Sequence, residues 1–344
     1  MLKVYTLEKS EQWDAVVRTF HGFDVYWLSG YVKAFQLHGD GEPMLFLYDD
    51  GDTKGINVVM LRDVAKDPRF AGKIPEGKYK DIVTPYGYGG WLIEGDKTDP
   101  LFAAYLEWLQ EKHIISEFVR FHPLLKNHEK CTDFYEVVRL GEVVHMDLSS
   151  PEIIWENITS KNRNVIRKAV KNDVKIYNGR FPGIYEQFRE IYNKTMDKDS
   201  AEDYYYFGEL FYQSVLEDLP DNAQVFWAEK DGMVIAASII LATNGRMNYH
   251  LSGSRKEYSS LAPTNLLLYK AALWGNANGY KTFYLGGGVG SGEDNLFKFK
   301  HAFYRGELNR FYIGKKIYNQ DSYDELLRMR GQVDSNYFPL YRTK

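Results

Sequence analysis

The centre of the chain alternates apolar-rich runs with short polar turns. The runs are residues 224–230, 233–242 and 246–251. Asp231-Gly232 and Asn244-Gly245 separate them, and such dipeptides are typical of a type I′ turn, whose two central residues need a positive φ. The pattern therefore predicts a three-stranded antiparallel meander.

The next segment changes to helical periodicity. Its apolar side chains recur every three or four residues, at Leu266, Tyr269, Leu273 and Ala277. Pro263 suits the first turn of a helix, and Gly279 suits its C-terminal cap. A short apolar run at residues 281–285 follows, so the predicted order is three strands, a helix and a strand.

The first half of the chain repeats this order of elements. We predict a hairpin over residues 44–48 and 56–61, a helix over 101–113 and a strand over 118–121. Two similar halves indicate a mixed α+β fold with two tandem lobes, each a mostly antiparallel mixed sheet flanked by helices. We expect the lobes to span residues 1–150 and 151–344.

The composition is typical of a globular protein with a large core. Of the 344 residues, 44% are hydrophobic and 26% are charged. The longest apolar runs fall short of the about 18 residues of a transmembrane helix, and the first ten residues lack the apolar core of a secretory signal. We therefore expect a cytoplasmic protein.

Charge and cysteine content exclude several kinds of site. The net charge of −4 argues against a surface devoted to nucleic acid, because phosphate neutralisation needs an excess of Lys and Arg. Cys131 is the only cysteine, and the eight histidines have no ligand-like spacing. The sequence therefore predicts no intrachain disulfide and no metal site.

A locally basic helix is predicted between the two halves. Ser160 can cap it, and Val165, Ile166 and Ala169 give it an apolar side. The basic residues are Lys161, Arg163, Arg167, Lys168 and Lys171. Such charge is ordinary on a solvated helix face, but Arg forks and Lys ammonium groups would also hold a diphosphate, a tRNA backbone or a coenzyme tail.

Residues 294–303 interleave aromatic rings with lysines, directly after the glycines at 286–288. In one interpretation Leu296, Phe299 and Phe303 pack inward, and the lysines extend to water. In the other interpretation a lysine is held against aromatic side chains. There the attraction between its fixed positive charge and a negative charge becomes stronger as the dielectric constant falls.

Five segments occur in the order found in one known group: residues 160–169, 249–254, 262–268, 284–288 and 296–303. Together they resemble the Fem-type transferases that build peptidoglycan cross-bridges, and their relatives in the GNAT superfamily of acyltransferases. The run Thr-Pro-Tyr-Gly-Tyr-Gly-Gly at 84–90 also resembles GNAT-type relatives found with polysaccharide biosynthesis. The resemblance spans residues 24–313.

The resemblance implies two GNAT-like lobes side by side, with the acceptor in a cleft and the transfer site in the second lobe. Members of the group move an acyl group from aminoacyl-tRNA or acyl coenzyme A to an amine of a cell-envelope precursor, a nucleotide-linked sugar or a muropeptide. These donors are co-substrates, and no permanently bound cofactor is implied. The Phe-Lys pair of the group matches Phe299 and Lys300.

We therefore expect Lys300 to stabilise the oxyanion that forms when the amine attacks, with Phe299 as a wall of the site. His250 and Asp294 are candidates for a general base, although a strand histidine is more often a core residue. The expected substrate-binding residues are Trp27, Lys33, Tyr86, Tyr88, Arg163, Arg167, Ser252 and Asn265.

Two departures from the group leave the donor open. Fem enzymes usually carry a coiled-coil arm in the second lobe, and residues 204–224 are too few for one. GNAT enzymes commonly bind the coenzyme pyrophosphate at a glycine-rich turn that opens a helix. The corresponding turn here is Ser-Ser-Leu-Ala-Pro-Thr-Asn at 259–265, where Pro263 has no N–H.

Two other functions fit parts of the sequence. A noncatalytic protein on the same fold, binding tRNA or a nucleotide sugar, would explain the altered coenzyme turn. A glycosyltransferase would need an acidic pair for a metal-bound nucleotide diphosphate, and residues 49–52 contain that spacing. They lie in an evident hairpin turn, where acidic residues are ordinary.

Overall fold

A computed structural model describes residues 1–343 of the chain. The strands are β1 (Leu2–Tyr5), β2 (Glu42–Asp49), β3 (Lys54–Asp63), β4 (Lys80–Val83), β5 (Leu92–Glu94), β6 (Ile114–Arg120), β7 (Glu136–Asp147), β8 (Lys175–Gly179), β9 (Ala223–Lys230), β10 (Met233–Thr243), β11 (Arg246–Ser254), β12 (Thr282–Gly286) and β13 (Asn309–Ile317). The helices are α1 (Ser10–Val17), α2 (Ser29–His38), α3 (Asp99–Glu111), α4 (Pro151–Asn157), α5 (Ser160–Lys171), α6 (Pro182–Lys198), α7 (Glu209–Asp218), α8 (Pro263–Ala277), α9 (Asn295–His301) and α10 (Gln320–Arg330).

The chain divides into two compact units. The first contains residues 1–140 together with the segment from Phe311 onward, and the second contains residues 141–310. The sequence placed the division at residue 150 and assigned the C-terminal segment to the second lobe. In the structure that segment contributes β13, α10 and the buried Tyr341 to the first unit.

The second unit is built on a mostly antiparallel sheet with strand order β7-β12-β11-β10-β9-β8. Its centre is the predicted meander of β9, β10 and β11. Asp231, Gly232, Asn244 and Gly245 all have positive φ, as a type I′ turn requires. The hairpin signals in the sequence are therefore confirmed.

Strands β11 and β12 of this sheet run parallel and are paired over three residue pairs, from Arg246↔Thr282 to Asn248↔Tyr284. Beyond these pairs β11 continues to Ser254, whereas β12 ends at Gly286. Helix α8 connects the two strands, as predicted, and its buried leucines join the core of the unit. Ligand sites often lie at the carboxyl ends of parallel strands where neighbouring strands diverge.

The first unit repeats this plan, with strand order β1-β2-β3-β4-β6-β13 and β5 paired to β3. Here β4 and β6 form the parallel pair, and α3 precedes β6. The buried face of β6 carries Glu117, which is 1% exposed. Its carboxylate accepts hydrogen bonds from Tyr318 Oη at 2.5 Å and Tyr105 Oη at 3.2 Å.

The C-terminal segment is attached to the first unit by buried charge. The carboxylate of Asp81, 1% exposed, accepts hydrogen bonds from Tyr341 Oη at 2.8 Å and Arg342 Nε at 2.5 Å. Arg342 Nη1 also lies 3.0 Å from Asp67 Oδ2. Nearby arginines hold the pKa of Asp81 below its usual value despite the burial.

Helix α6, with 17 residues, is the longest of the described helices, and no coiled-coil arm is present among residues 1–343. Within the same residues, no helix combines the length and apolar character needed to cross a membrane.

Candidate functional site

A glycine loop follows β12 and shapes the end of the parallel strand pair. Gly286 has a φ of +84°, which favours glycine. A Cβ on Gly288 would lie 2.1 Å from the carbonyl oxygen of Gly292 and 2.3 Å from Asp294 Oδ1. The loop is therefore packed too tightly for any side chain at position 288.

Lys300 projects from α9 back to this loop. Its side chain is 9% exposed, and its Nζ donates a hydrogen bond to the carbonyl oxygen of Gly287 at 2.6 Å. Burial lowers the pKa of Lys300 to about 8, although the charge of Asp294 acts in the opposite direction. The result is a desolvated ammonium group whose charge is easily lost.

The buried face of α9 differs from the predicted one. Phe297 is 4% exposed and Phe303 is 0% exposed, whereas Leu296 is 39% exposed. The inward-facing positions on the helix are therefore Phe297 and Lys300, and the interpretation in which Leu296 packs inward and the lysines extend to water is wrong for Leu296 and Lys300. Phe299 packs partly against the core, with its ring 5.6 Å from that of Phe303.

Asp294 caps the N-terminus of α9. Its Oδ1 accepts a hydrogen bond from Phe297 N at 2.8 Å, and its Oδ2 accepts one from Val289 N at 3.2 Å. These bonds lower the pKa of Asp294, because they stabilise the carboxylate. Asp294 thus holds the loop and the helix together, and its carboxylate is a weak base.

His250 occupies a bulge in β11. Ile239 of β10 lies opposite Leu251 and Ile240 opposite Tyr249, so His250 is the extra residue. Burial lowers the pKa of His250 to about 3. The imidazole is therefore neutral and weakly basic at neutral pH.

The bulge also changes which residues share a face of β11. Ser252 Oγ accepts a hydrogen bond from Ser238 Oγ at 2.9 Å. Tyr249 contacts both serines, and burial raises the pKa of its hydroxyl. The sequence pointed to Ser252 but gave no sign of Tyr249 or Ser238, since a bulge leaves no clear periodic signal.

Asn265 takes part in a hydrogen-bond chain among three helices. Its Nδ2 donates to Asn162 Oδ1 at 2.8 Å, and Asn162 Nδ2 donates to the carbonyl oxygen of Ala302 at 3.3 Å. Thr159 N donates to the same carbonyl at 3.0 Å. This hydrogen-bond chain joins the starts of α5 and α8 to the end of α9, so the sequence motifs on these three helices meet at the Ala302 carbonyl.

Helix α5 begins one residue earlier than predicted, with Thr159 rather than Ser160 as its N-cap. The guanidinium groups of Arg163 and Arg167 lie 6.0 and 5.1 Å from the ring of Trp155. The basic side chains of α5 form no ion pair with any carboxylate in residues 1–343. They are Lys161, Arg163, Arg167, Lys168 and Lys171.

The predicted acceptor residues of the first half form part of an aromatic cluster in the first unit. Tyr86 stacks on Phe35 with ring centres 5.3 Å apart, and Tyr88 lies edge-on to Tyr26 at 5.5 Å. Both tyrosines are partly exposed.

Two further predicted residues of this unit differ in exposure. Trp27 is fully buried and donates a hydrogen bond from Nε1 to the carbonyl oxygen of Gly90 at 3.2 Å, which places it beneath the Tyr86–Tyr88 loop. Lys33 lies exposed on α2.

Comparison with known proteins identifies the second unit. Residues 160–300 match the family model for the acetyltransferase (GNAT) domain. This range contains α5, the β11–β12 pair, the glycine loop and Lys300. A search of curated proteins finds no match to the chain.

Solved structures resemble nearly the whole chain at low sequence identity. FemX matches with a TM-score of 0.67 and 12% identity, covering 94% of this chain and 99% of FemX. L-PGS from Bacillus licheniformis matches with a TM-score of 0.57 and 14% identity, covering 93% and 94%. A tandem GNAT protein from the clavulanic acid biosynthesis pathway matches with a TM-score of 0.50 and 8% identity, covering 93% and 99%.

Proposed function

The second unit of this chain is a GNAT acetyltransferase domain, and from it we propose that the protein acylates an amine of a cell-wall or surface-polysaccharide precursor. The predicted fold, two tandem GNAT-like lobes, is confirmed by the structural likeness to FemX and to a tandem GNAT protein. The predicted enzyme class, an acyltransferase, is confirmed as well. The acceptor, the donor and the residue roles are the proposed part.

The buried ammonium of Lys300 is the observation that carries the proposed chemistry. The acceptor amine attacks the ester or thioester carbonyl of the donor, and negative charge develops on the carbonyl oxygen. Lys300 uses one N–H on Gly287, which leaves two for that oxygen. A cation in a site with little water stabilises the oxyanion more strongly than one in solvent.

The tetrahedral intermediate then collapses to an amide. The C–N bond has formed, the C–S or C–O bond to the donor breaks, and the leaving thiolate or ribose oxyanion accepts the proton released by the amine. The low pKa values of His250, about 3, and of Asp294 make both side chains weak bases. We therefore assign proton acceptance to the leaving group and solvent, with Asp294 holding the loop.

The unpaired basic side chains of α5 support a phosphate-rich substrate. They lie on the helix that the Asn162–Ala302 hydrogen bond attaches to α9, and both candidate donors, acyl coenzyme A and aminoacyl-tRNA, carry phosphates. Diphosphate-linked sugars do so as well. We propose that Arg163 and Arg167 contact such phosphates, since Arg forks bind them in two-point fashion.

The acceptor proposal is supported by the first unit and by the similarity to FemX. Tyr86 and Tyr88 present aromatic faces on a glycine-containing loop, a surface suited to stacking on a sugar or a base. Lys33 adds an exposed cation on α2. We propose that these residues hold the nucleotide-linked end of a cytosolic cell-envelope precursor.

The proposal is tested by incubating the purified protein with acetyl coenzyme A or charged tRNA, each beside amino-sugar nucleotides and muropeptide precursors. Mass spectrometry of the acceptors should show the mass of one acyl group with one donor. Binding of a precursor without any mass gain would instead favour the noncatalytic alternative.

Substitution of Lys300 then tests the mechanism. Lys300→Met should lower kcat by about 100-fold or more, because removal of an oxyanion-stabilising donor typically costs that much. Lys298→Met is the matched control, since Lys298 is exposed on the same helix. Full activity of Lys300→Met would contradict the assigned role.

A further inference from the structure

A cavity lies in the second unit between α6 and α7, away from the candidate site. Its volume is about 450 Å³, within the usual range for small-molecule sites. Its lining comes from facing positions of the two helices, and α9, the glycine loop and β11 contribute none of it. The residues that define it are Tyr185, Glu186, Arg189, Glu209, Tyr212 and Glu217.

Two buried tyrosines form the floor of this cavity. Tyr185 is 3% exposed and Tyr212 is 4% exposed. Neither hydroxyl oxygen has a hydrogen-bond partner among residues 1–343, and neither does Nε of the neighbouring Arg180. Buried polar atoms are rarely left in this state, so a bound molecule is one way for them to be satisfied.

The two hydroxyls remain protonated and neutral at any physiological pH. Burial raises the pKa of Tyr185 to about 12 and raises that of Tyr212 as well. A neutral phenol both accepts and donates a hydrogen bond, and its ring offers a negative π face.

The mouth of the cavity carries excess negative charge. Arg189 lies 3.6 Å from Glu209, so these two charges offset each other. Glu186 and Glu217 form no ion pair within the described chain. Arg180, next to Tyr185, adds a second positive charge, so the three carboxylates exceed the two guanidinium groups by one negative charge, which is left to attract a positive ligand.

We propose that the α6–α7 cavity binds a compact organic ammonium ion, such as a diamine or an amino alcohol. Its ammonium group would donate hydrogen bonds to the oxygens of Tyr185 and Tyr212 and lie against their rings, where cation–π attraction adds to the binding. Glu186 and Glu217 supply the compensating charge. Binding here is noncovalent and does not rest on the acyl-transfer chemistry assigned to Lys300.

The charge requirement is tested with a matched pair of probes. Calorimetric titration of the full-length protein with cadaverine should give saturable binding, and pentanediol, which has the same chain length without the charge, should bind at least about tenfold more weakly. Equal binding of the two probes, or no cadaverine binding up to tens of millimolar, would overturn the proposal.

Variants locate the binding to this cavity. Tyr185→Phe and Tyr212→Phe should each weaken cadaverine binding by about tenfold, because each removes a hydrogen bond to a charged donor. Both variants should fold, since each keeps the buried ring and removes only the hydroxyl. Tyr177→Phe, at an exposed position on β8, is the control.

The carboxylates are tested in the same way. Glu217→Gln should weaken cadaverine binding and make it less sensitive to salt, whereas Glu257→Gln, an exposed change outside the cavity, should leave it unchanged. Unaltered binding in both tyrosine variants and in Glu217→Gln would place cadaverine elsewhere and refute the site.

Discussion

The ammonium group of Lys300 is buried, and the loss of water around it disfavours the charged form. Lys298, two positions earlier on the same helix, is solvated, whereas Lys300 faces the glycine loop and is almost fully buried. The sequence pointed to Lys300 only through a segment that resembles Fem-type proteins. The direction of the side chain could not be read from the pattern, because the apolar residues of this segment fit more than one helical face.

The activity of the protein should therefore fall as the pH rises through about 8. The pKa of Lys300 is lowered to about 8, so the cation that we propose as the oxyanion stabiliser is present below that pH and lost above it. The measurement is kcat/KM against pH. Lys300→Arg should retain a charge at high pH and lose this descending limb, whereas activity that increases through pH 8 would identify the neutral amine of Lys300 as a base.

Glu117 should make the first unit less stable as the pH rises. Burial raises the pKa of Glu117 from 4.5 to about 7, so the folded state favours the protonated form. The contribution of Glu117 to the free energy of unfolding is fully present below pH 4.5. It declines between pH 4.5 and about 7 and is lost above that pH. The loss is of the order of 3 kcal/mol.

The check is urea unfolding across this pH range for the wild type and Glu117→Gln. The variant carries an uncharged amide, so the difference in the free energy of unfolding between the two proteins should change over this window. A constant difference from pH 4.5 to 8 would show that Glu117 keeps an ordinary pKa. The second unit lacks this residue and supplies an internal reference in hydrogen exchange.

At the scale of elements, the sequence predicts features that depend on neighbouring residues and misses those that depend on contacts between distant segments. The two type I′ turns and α8 follow from short sequence signals, and the structure has them where expected. The bulge at His250 and the chain from Asn265 through Asn162 to Ala302 depend on strand register and on helices distant in sequence. No local pattern encodes these, so Tyr249 and the bridging role of Asn265 were not foreseen.

The glycine loop should tolerate a methyl group at one glycine and not at another. Gly288→Ala places Cβ against the Gly292 carbonyl and the Asp294 carboxylate, so we expect a loss of about 1–3 kcal/mol in stability. In Gly292→Ala the nearest atom is 3.4 Å away, an acceptable contact. Thermal unfolding of both variants is the test, and equal melting temperatures would contradict the packing of this loop.

The hydrogen bonds of Asn162 should matter for α9. Asn162→Ala removes the donor to Ala302 and the acceptor for Asn265, at a cost of about 1–3 kcal/mol. We also expect a lower kcat with little change in KM, since Lys300 would be less well positioned. Val170→Ala, an exposed change on the same helix, is the control. A loss of stability with unchanged kcat would mean that the bridge does not position Lys300.

At the scale of the whole molecule, the repeated order of strands and helices was sufficient to predict two tandem lobes. It could not show that the C-terminal segment packs with the first unit, because the buried contacts of Asp81 with Tyr341 and Arg342 join residues more than 250 positions apart in sequence. Such pairings are decided by three-dimensional packing alone.

Arg342→Met should destabilise the first unit by about 3–5 kcal/mol, because it leaves the buried carboxylate of Asp81 with less compensating charge. Arg328→Met, on the outer face of α10, should have little effect. Hydrogen exchange can report on the two units separately, and protection should be lost in the first one. Uniform loss of protection in both units would contradict a local role for Arg342.

The order of synthesis gives the C-terminal segment a further consequence. The ribosome synthesises all of residues 141–310 before it makes the residues from Phe311 onward that complete the first unit. The second unit is continuous in sequence and can fold as soon as it emerges, whereas the first must wait for a segment made after the whole of the second unit. During translation the N-terminal part of the chain is therefore the part most exposed to chaperones and proteases.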